Sequence, residues 1–299
     1  MTRIPDETAG LLPQEPFPIS RRQQALTARF LLPSQQIIYD YLLNLRLEAD
    51  KVLSVRYPVI NGKAYPLGRC KEISDTVRAE LARRIQRPVH PAERAIHGFL
   101  RAGGIIRPVW GILRRQFFQN ATQFGSLYID VSNDTVTVTK PKVEILPMAD
   151  SELEPVRNLA DYALVAGRYW KADMYANVLV PALAPVMPLI GVWPGRAVEL
   201  QSATDYVIGM MMRDRFQMAE DWLRQAPPPP GPAAQAFLDN LPAAFRLPPG
   251  TDLREAGIAA CRTARREQRF KDVAWRDARV MDYQAIFQAQ QKAGQVLPA

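Results

Sequence analysis

The chain of 299 residues is 47% apolar and carries a formal net charge of +8, with 38 Lys and Arg against 30 Asp and Glu. That is enough to bury a sizeable core in one large or two modest domains, so folding without staples is expected. Only two cysteines and two histidines occur, none in paired spacing, which argues against a disulfide framework, a zinc site or imidazole-based metal catalysis.

Residues 1–33 hold several prolines, an arginine pair at Arg21 and Arg22, and no sustained apolar period, the pattern of a flexible N-terminal arm. The first ten residues lack the apolar core of a secretory signal, so a reducing, cytoplasmic location is expected, with signal-independent export left open. Ser34 follows Pro33 as a helix cap, and Ile38, Tyr41, Leu42, Leu45, Ala49, Val52 and Leu53 then recur with helical spacing. Pro58 and the turn pair Asn61 and Gly62 break that helix. Ile73, Val77, Leu81 and Ile85 mark one face of the next, running to about residue 86, with Cys70 in its first turn behind a turn at Pro66 and Gly68. A short helix over residues 92–101 ends at Gly103 and Gly104.

The texture then changes to β-branched and aromatic residues. Segments 105–113, 116–124 and 126–131 read as strands, and the alternation over residues 135–139 as another, with Asn133 and Asp134 as the hairpin turn between. Helices are expected over residues 159–170 and 203–223. Between them, residues 174–195 carry no charge and are long enough to cross a bilayer, but Pro181, Pro185 and Pro188 argue for buried irregular or extended chain instead. The methionines Met210, Met211 and Met218 read as core, and the aromatics Tyr162, Tyr169, Trp170, Tyr175 and Trp193 likewise complete a core or wall a pocket. A proline-rich linker is expected at 226–250, separating the core domain (34–225) from a C-terminal helical segment (251–299). The basic run Arg262, Arg265, Arg266 and Arg269 lines a helix face that suits a protein or acidic partner. Interleaved acids (Glu267, Asp272, Asp277, Asp282) argue for a solvated surface and against nucleic acid.

Chemistry concentrates on Cys70. The amides of a helix's first turn favour a thiolate, which reads Cys70 as a nucleophile; a small apolar core residue is the alternative. No phosphate-loop, dinucleotide, zinc-protease or serine-hydrolase motif occurs, and no cofactor or metal is expected. Asp130 alternates with Ile129 and Val131 and shares a strand face with Tyr128 and Ser132; turned inward, it needs a partner. Asp134 reads as a turn residue.

The order of glycine turn, cysteine at a helix start and consecutive strands resembles the transglutaminase-like and papain-like cysteine superfamily. Gly68, Arg69 and Cys70, the strand at residues 118–121 and the segment 128–134 carry the resemblance, within residues 57–138. It implies a cysteine nucleophile at Cys70, a base on the following strand and an orienting carboxylate at Asp130. The base position falls at Asn120, an amide that takes no proton at neutral pH; His90 and His97, which precede the strands, are the remaining candidates. The expected architecture is α+β, with a cysteine-bearing helix on a small antiparallel sheet and further N- and C-terminal helices. The expected function is a non-enzymatic binding or scaffold protein on this core, or alternatively a thiol-dependent acyl-transfer enzyme using Cys70.

Overall fold

The computed structural model describes residues 8–60, 62–193, 198–200 and 204–294. Asn61 of the expected turn, and the ends of the uncharged segment (194–195) and of the expected 203–223 helix (203), lie outside them. The fold is α+β, with α-helices of 9 to 22 residues and small antiparallel sheets among the described residues. No helix among the described residues is long and apolar enough to cross a membrane. The chain divides into two compact units, Met1–Pro155 and Val156–Ala299, which cuts the single core domain expected over 34–225.

In the first unit the helices are α1 (Arg21–Phe30), α2 (Gln35–Arg56), α3 (Cys70–Arg84) and α4 (Pro91–Arg101). A two-stranded ribbon, β1 (Val59–Ile60) with β2 (Lys63–Ala64), interrupts them. A five-stranded antiparallel sheet follows, built from β3 (Ile106–Leu113), β4 (Phe117–Phe124), β5 (Leu127–Asp130), β6 (Glu144–Pro147) and β7 (Leu153–Glu154), in the order β6-β5-β4-β3-β7. Alternation along the strands splits its side chains between two faces. Phe124, Leu127, Ile129 and Val131 pack with Ile38, Leu42 and Leu45 of α2, Ile73 and Val77 of α3 and Ile96 and Phe99 of α4. Val109, Ala121 and Tyr128 form a smaller cluster on the opposite face with Met148 and Leu153. α2 and α3 bury the faces their periodicity marks, except that Val52 is exposed.

Four sequence readings are corrected in this unit. Residues 21–30 of the expected arm are helical: buried Gln23 bonds the Gly103 carbonyl and the Ile105 amide, and Thr27 accepts from the Ser126 amide. The preceding residues lie along the sheet's second face, with the Phe17 backbone and the Gln123 side-chain amide exchanging two hydrogen bonds. Ser34 ends a 3-10 turn and makes no side-chain cap. Residues 135–139 form turns, not a strand, because Thr135 folds back on the Ser132 carbonyl through both its amide and its hydroxyl. Asp134, more than a turn residue, is buried and grips Arg46.

The second unit contains α5 (Leu159–Tyr169) and a three-stranded antiparallel sheet of β8 (Asp173–Ala176), β9 (Leu189–Val192) and β10 (Val198–Leu200), with β9 central. The described part of the uncharged segment is β8, β9 and the buried turns between them. Asn177, fully buried, holds those turns by donating to the Met187 carbonyl and accepting from the Val180 amide. The expected 203–223 helix is two, α6 (Asp205–Arg213) and α7 (Gln217–Gln225), because Arg215 and Phe216 adopt left-handed conformations that bury the Phe216 ring against Phe270 and Trp275. The expected linker contains α8 (Gly231–Asp239), whose buried Phe237 accepts at its carbonyl from Gln290. Prolines 227–230 precede this helix, and Pro232 sits in its first turn, a position that needs no amide donor. α9 (Leu253–Arg266) and α10 (Val273–Lys292) complete the unit. Met210 and Met211 are core residues, and Tyr162 is buried edge-on to Trp170.

Candidate functional site

Gly68 has φ +71°, a conformation open to glycine, and its amide donates to the Thr135 carbonyl at 2.9 Å. That bond ties the turn before Cys70 to the loop after β5. The loop is itself held by Arg46 of α2, which donates to the Val131 carbonyl and forks onto both Asp134 oxygens at 2.7 and 3.1 Å. Cys70 opens α3 and is half-buried. Its hydrogen-bond partner is Asn120 of β4, whose Nδ2 lies 3.5 Å from Sγ.

The helix-start cysteine and the Asn120 position therefore meet, but without a base. His90 is exposed, caps α4 by accepting from the Ala92 amide at Nδ1, and stacks on Tyr41 with centroids 4.7 Å apart. His97 engages the Ile85 carbonyl through Nδ1 at 3.0 Å. Neither imidazole hydrogen-bonds the thiol. Burial pushes the Cys70 thiol up, Asn120 offsets part of this, and the Asp130 and Glu72 carboxylates add to it. The thiolate expected from the helix start is thus disfavoured, because desolvation outweighs the first-turn amides. Cys261 is also a free thiol, pushed up to about 12 by burial.

Asp130 is fully buried, and alternation places it on the opposite sheet face from Asn120. Asn120 shares the helix-covered face with Phe124, whereas Asp130 shares the second face with Tyr128. A carboxylate so placed orients Gln119, not residue 120: Gln119 Nε2 donates to Oδ2 at 2.7 Å and Tyr128 Oη at 3.2 Å, while the Ser132 amide and hydroxyl donate to Oδ1 at 2.7 and 2.9 Å. All these donors are neutral. Burial raises the Asp130 carboxyl to about 6, against the pull of those four hydrogen bonds. Ser132 Oγ lies 3.2 Å from Ser74 Oγ, one turn beyond Cys70 on α3, so a hydroxyl pair links the carboxylate cluster to the cysteine helix.

Sequence reasoning missed Ser74 and Gln119. The four-residue step from Cys70 to Ser74 and the alternation through Gln119 were readable signals, but neither side chain belongs to a motif. The basic run is largely paired: Arg262 and Arg265 converge with Arg224 on buried Glu220, and Arg269 pairs with Glu267 and Asp272. Among the described residues no group of three or more His, Cys, Asp or Glu is arranged to hold a metal ion. Compared with protein-family models, curated proteins and solved structures, the chain matches none.

Proposed function

We propose that this chain is a non-enzymatic binding or scaffold protein, built on a core that keeps the helix-and-strand order of the transglutaminase-like and papain-like proteins without their chemistry. The observation that carries the reading is the partner of the Cys70 thiol: an amide, Asn120, stands where a proton acceptor is needed. Support also comes from the raised thiol, from both imidazoles being engaged elsewhere, and from a sheet that separates Asn120 from Asp130. The partner is a protein or another acidic species; the C-terminal basic helix keeps Arg266, bonded only within its own helix, for such contact.

A thiol-dependent acyl-transfer enzyme is the second reading, with Cys70 as nucleophile, His97 or His90 as base and Asp130 as orienter. One observation favours it: the Asn120 amide beside the sulfur is a donor that an oxyanion formed there could use. Peptide-resolved labelling with iodoacetamide from pH 5 to 9 separates the two. Slow modification of native Cys70 with no step below about pH 8.5 is expected. Fast modification with an apparent pKa below about 7 would overturn the binding-protein reading.

A further inference from the structure

A cleft of about 440 Å³ lies where α3 ends and α4 begins, lined by Arg83, Arg84, Gln86, Arg87, Val89 and Glu93. Its size is that of a small-molecule site. Each carboxylate at its edges is already engaged by an arginine, a tyrosine or backbone amides. Glu80 accepts from Arg83 and Arg84, and Glu48 from Arg84. Glu93 accepts at one oxygen from Tyr41 and at the other from the Val89 and His90 amides. Those hydrogen bonds outweigh burial and hold the Glu93 carboxyl below its usual range, so it stays an acceptor facing inward.

The arginines differ from one another in a way that points to a ligand. Arg83 and Arg84 are fixed by their acids and serve as walls. Arg87 is exposed, and among the described residues its guanidinium has no hydrogen-bond or ion-pair partner. Val89, 78% exposed, adds an apolar surface beside it. A free fork flanked by two further guanidiniums suits a tetrahedral dianion better than a planar carboxylate, which a single fork saturates. The positive charge is a short patch made by the end of α3, Arg87 after it and Arg94 of α4, whose guanidinium bonds the Val89 carbonyl, with Glu80 and Glu48 paired to Arg84 beside it. That is too short a track for a polyanion.

We propose that this cleft binds a phosphate monoester, the phosphate on Arg87 between Arg83 and Arg84 and the organic group against Val89. The site stands apart from Cys70, so a reactive thiol would leave it untouched, and its own failure would leave the thiol reading intact.

The full chain, isotope-labelled, is titrated with phenyl phosphate and separately with inorganic phosphate, following backbone amide shifts. Saturable shifts confined to residues 83–94 are expected, with phenyl phosphate at least about threefold tighter because it alone covers Val89. Arg87→Gln should weaken phenyl phosphate about tenfold while leaving the melting temperature unchanged, since the side chain makes no internal bond. Shifts that fail to saturate, or an affinity unaltered in Arg87→Gln, would overturn the site. Equal affinity for the two probes would overturn the monoester assignment.

Discussion

Asp130 and Asp134 lie four residues apart, both buried, and their surroundings are opposite. Asp134 receives a forked Arg46 guanidinium, itself fully buried, and the Lys142 ammonium at 2.9 Å. Asp130 receives an amide, a phenol, a hydroxyl and a backbone N–H, with no cation among its hydrogen-bond partners. The first arrangement fixes structure: it anchors residues 131–142 to α2 and, through Thr135, seats the turn before Cys70. In the second, four neutral donors only partly compensate for desolvation, so the carboxyl stays near neutrality in its pKa. A hydrogen-bonded carboxylate and a charge-paired one are not equivalent inside a fold.

The contrast is broken most forcefully at Arg46. Arg46→Leu leaves Asp134 buried without its fork and should cost about 3–5 kcal/mol in urea unfolding, releasing the loop over the Cys70 turn. A loss under about 1 kcal/mol would mean that Lys142 alone suffices for Asp134.

At Asp130 the contrast takes the form of a pH dependence. The folded carboxyl titrates near 6 rather than at the ordinary 3.8, so the fold binds the proton more tightly than the unfolded chain. This contribution is complete below about pH 4 and is lost as pH rises through about 6, a fall of about 3 kcal/mol. Asp130→Asn should abolish that part of the decline and be at least as stable as the parent at pH 8. Its amide can also donate to Gln119 Oε1, which has no hydrogen-bond partner. The readout is the difference between the two unfolding free energies from pH 4 to 8; a constant difference would place Asp130 at an ordinary carboxylate pKa.

Lys142→Met gives the smallest effect. The lysine is one-third exposed and shares Asp134 and Asp50 with Arg46, so about 0.5–1 kcal/mol is expected, diminishing in 1 M salt. An effect as large as that of Arg46→Leu would reverse their assigned ranks.

Much of the fold was legible because apolar spacing decides it. Ile73, Val77 and Leu81 recur every fourth residue and are all buried, and the three strands after residue 105 lie where β-branched and aromatic residues cluster. What spacing does not encode is polar anchoring. α1 is tied down by Gln23 and Thr27, polar residues in a segment with little apolar content, which therefore reads as a loose arm. The alternating Thr and Val over residues 135–139 imitate a strand, yet Thr135 and Asp134 bind backbone and Arg46 and fold the segment into turns.

The candidate site divides in the same way. Cys70 and Asn120 meeting was implied by the order of elements, and strand alternation put Asp130 on one face with Tyr128 and Ser132 without saying whether that face is buried. The consequence of that same alternation, that Asp130 cannot serve residue 120, emerges only once the register Thr122↔Ile129 fixes which residues share a face. Proline spacing misled where α8 begins, because Pro232 opens a helix there instead of extending a linker.

The pairing of Phe17 with Gln123 spans 106 positions of chain, which sets an order of events during synthesis. Phe17 leaves the ribosome first, and at about 5–20 residues per second its strand partner follows roughly 5–20 seconds later. Until β3 and β4 have emerged, residues 12–17 lack the strands they bond, Arg107 and Trp110 for Leu12 and Gln14, and Gln123 for Phe17. Codon changes that slow translation between these positions should therefore prolong the interval in which proteases can cut near Phe17.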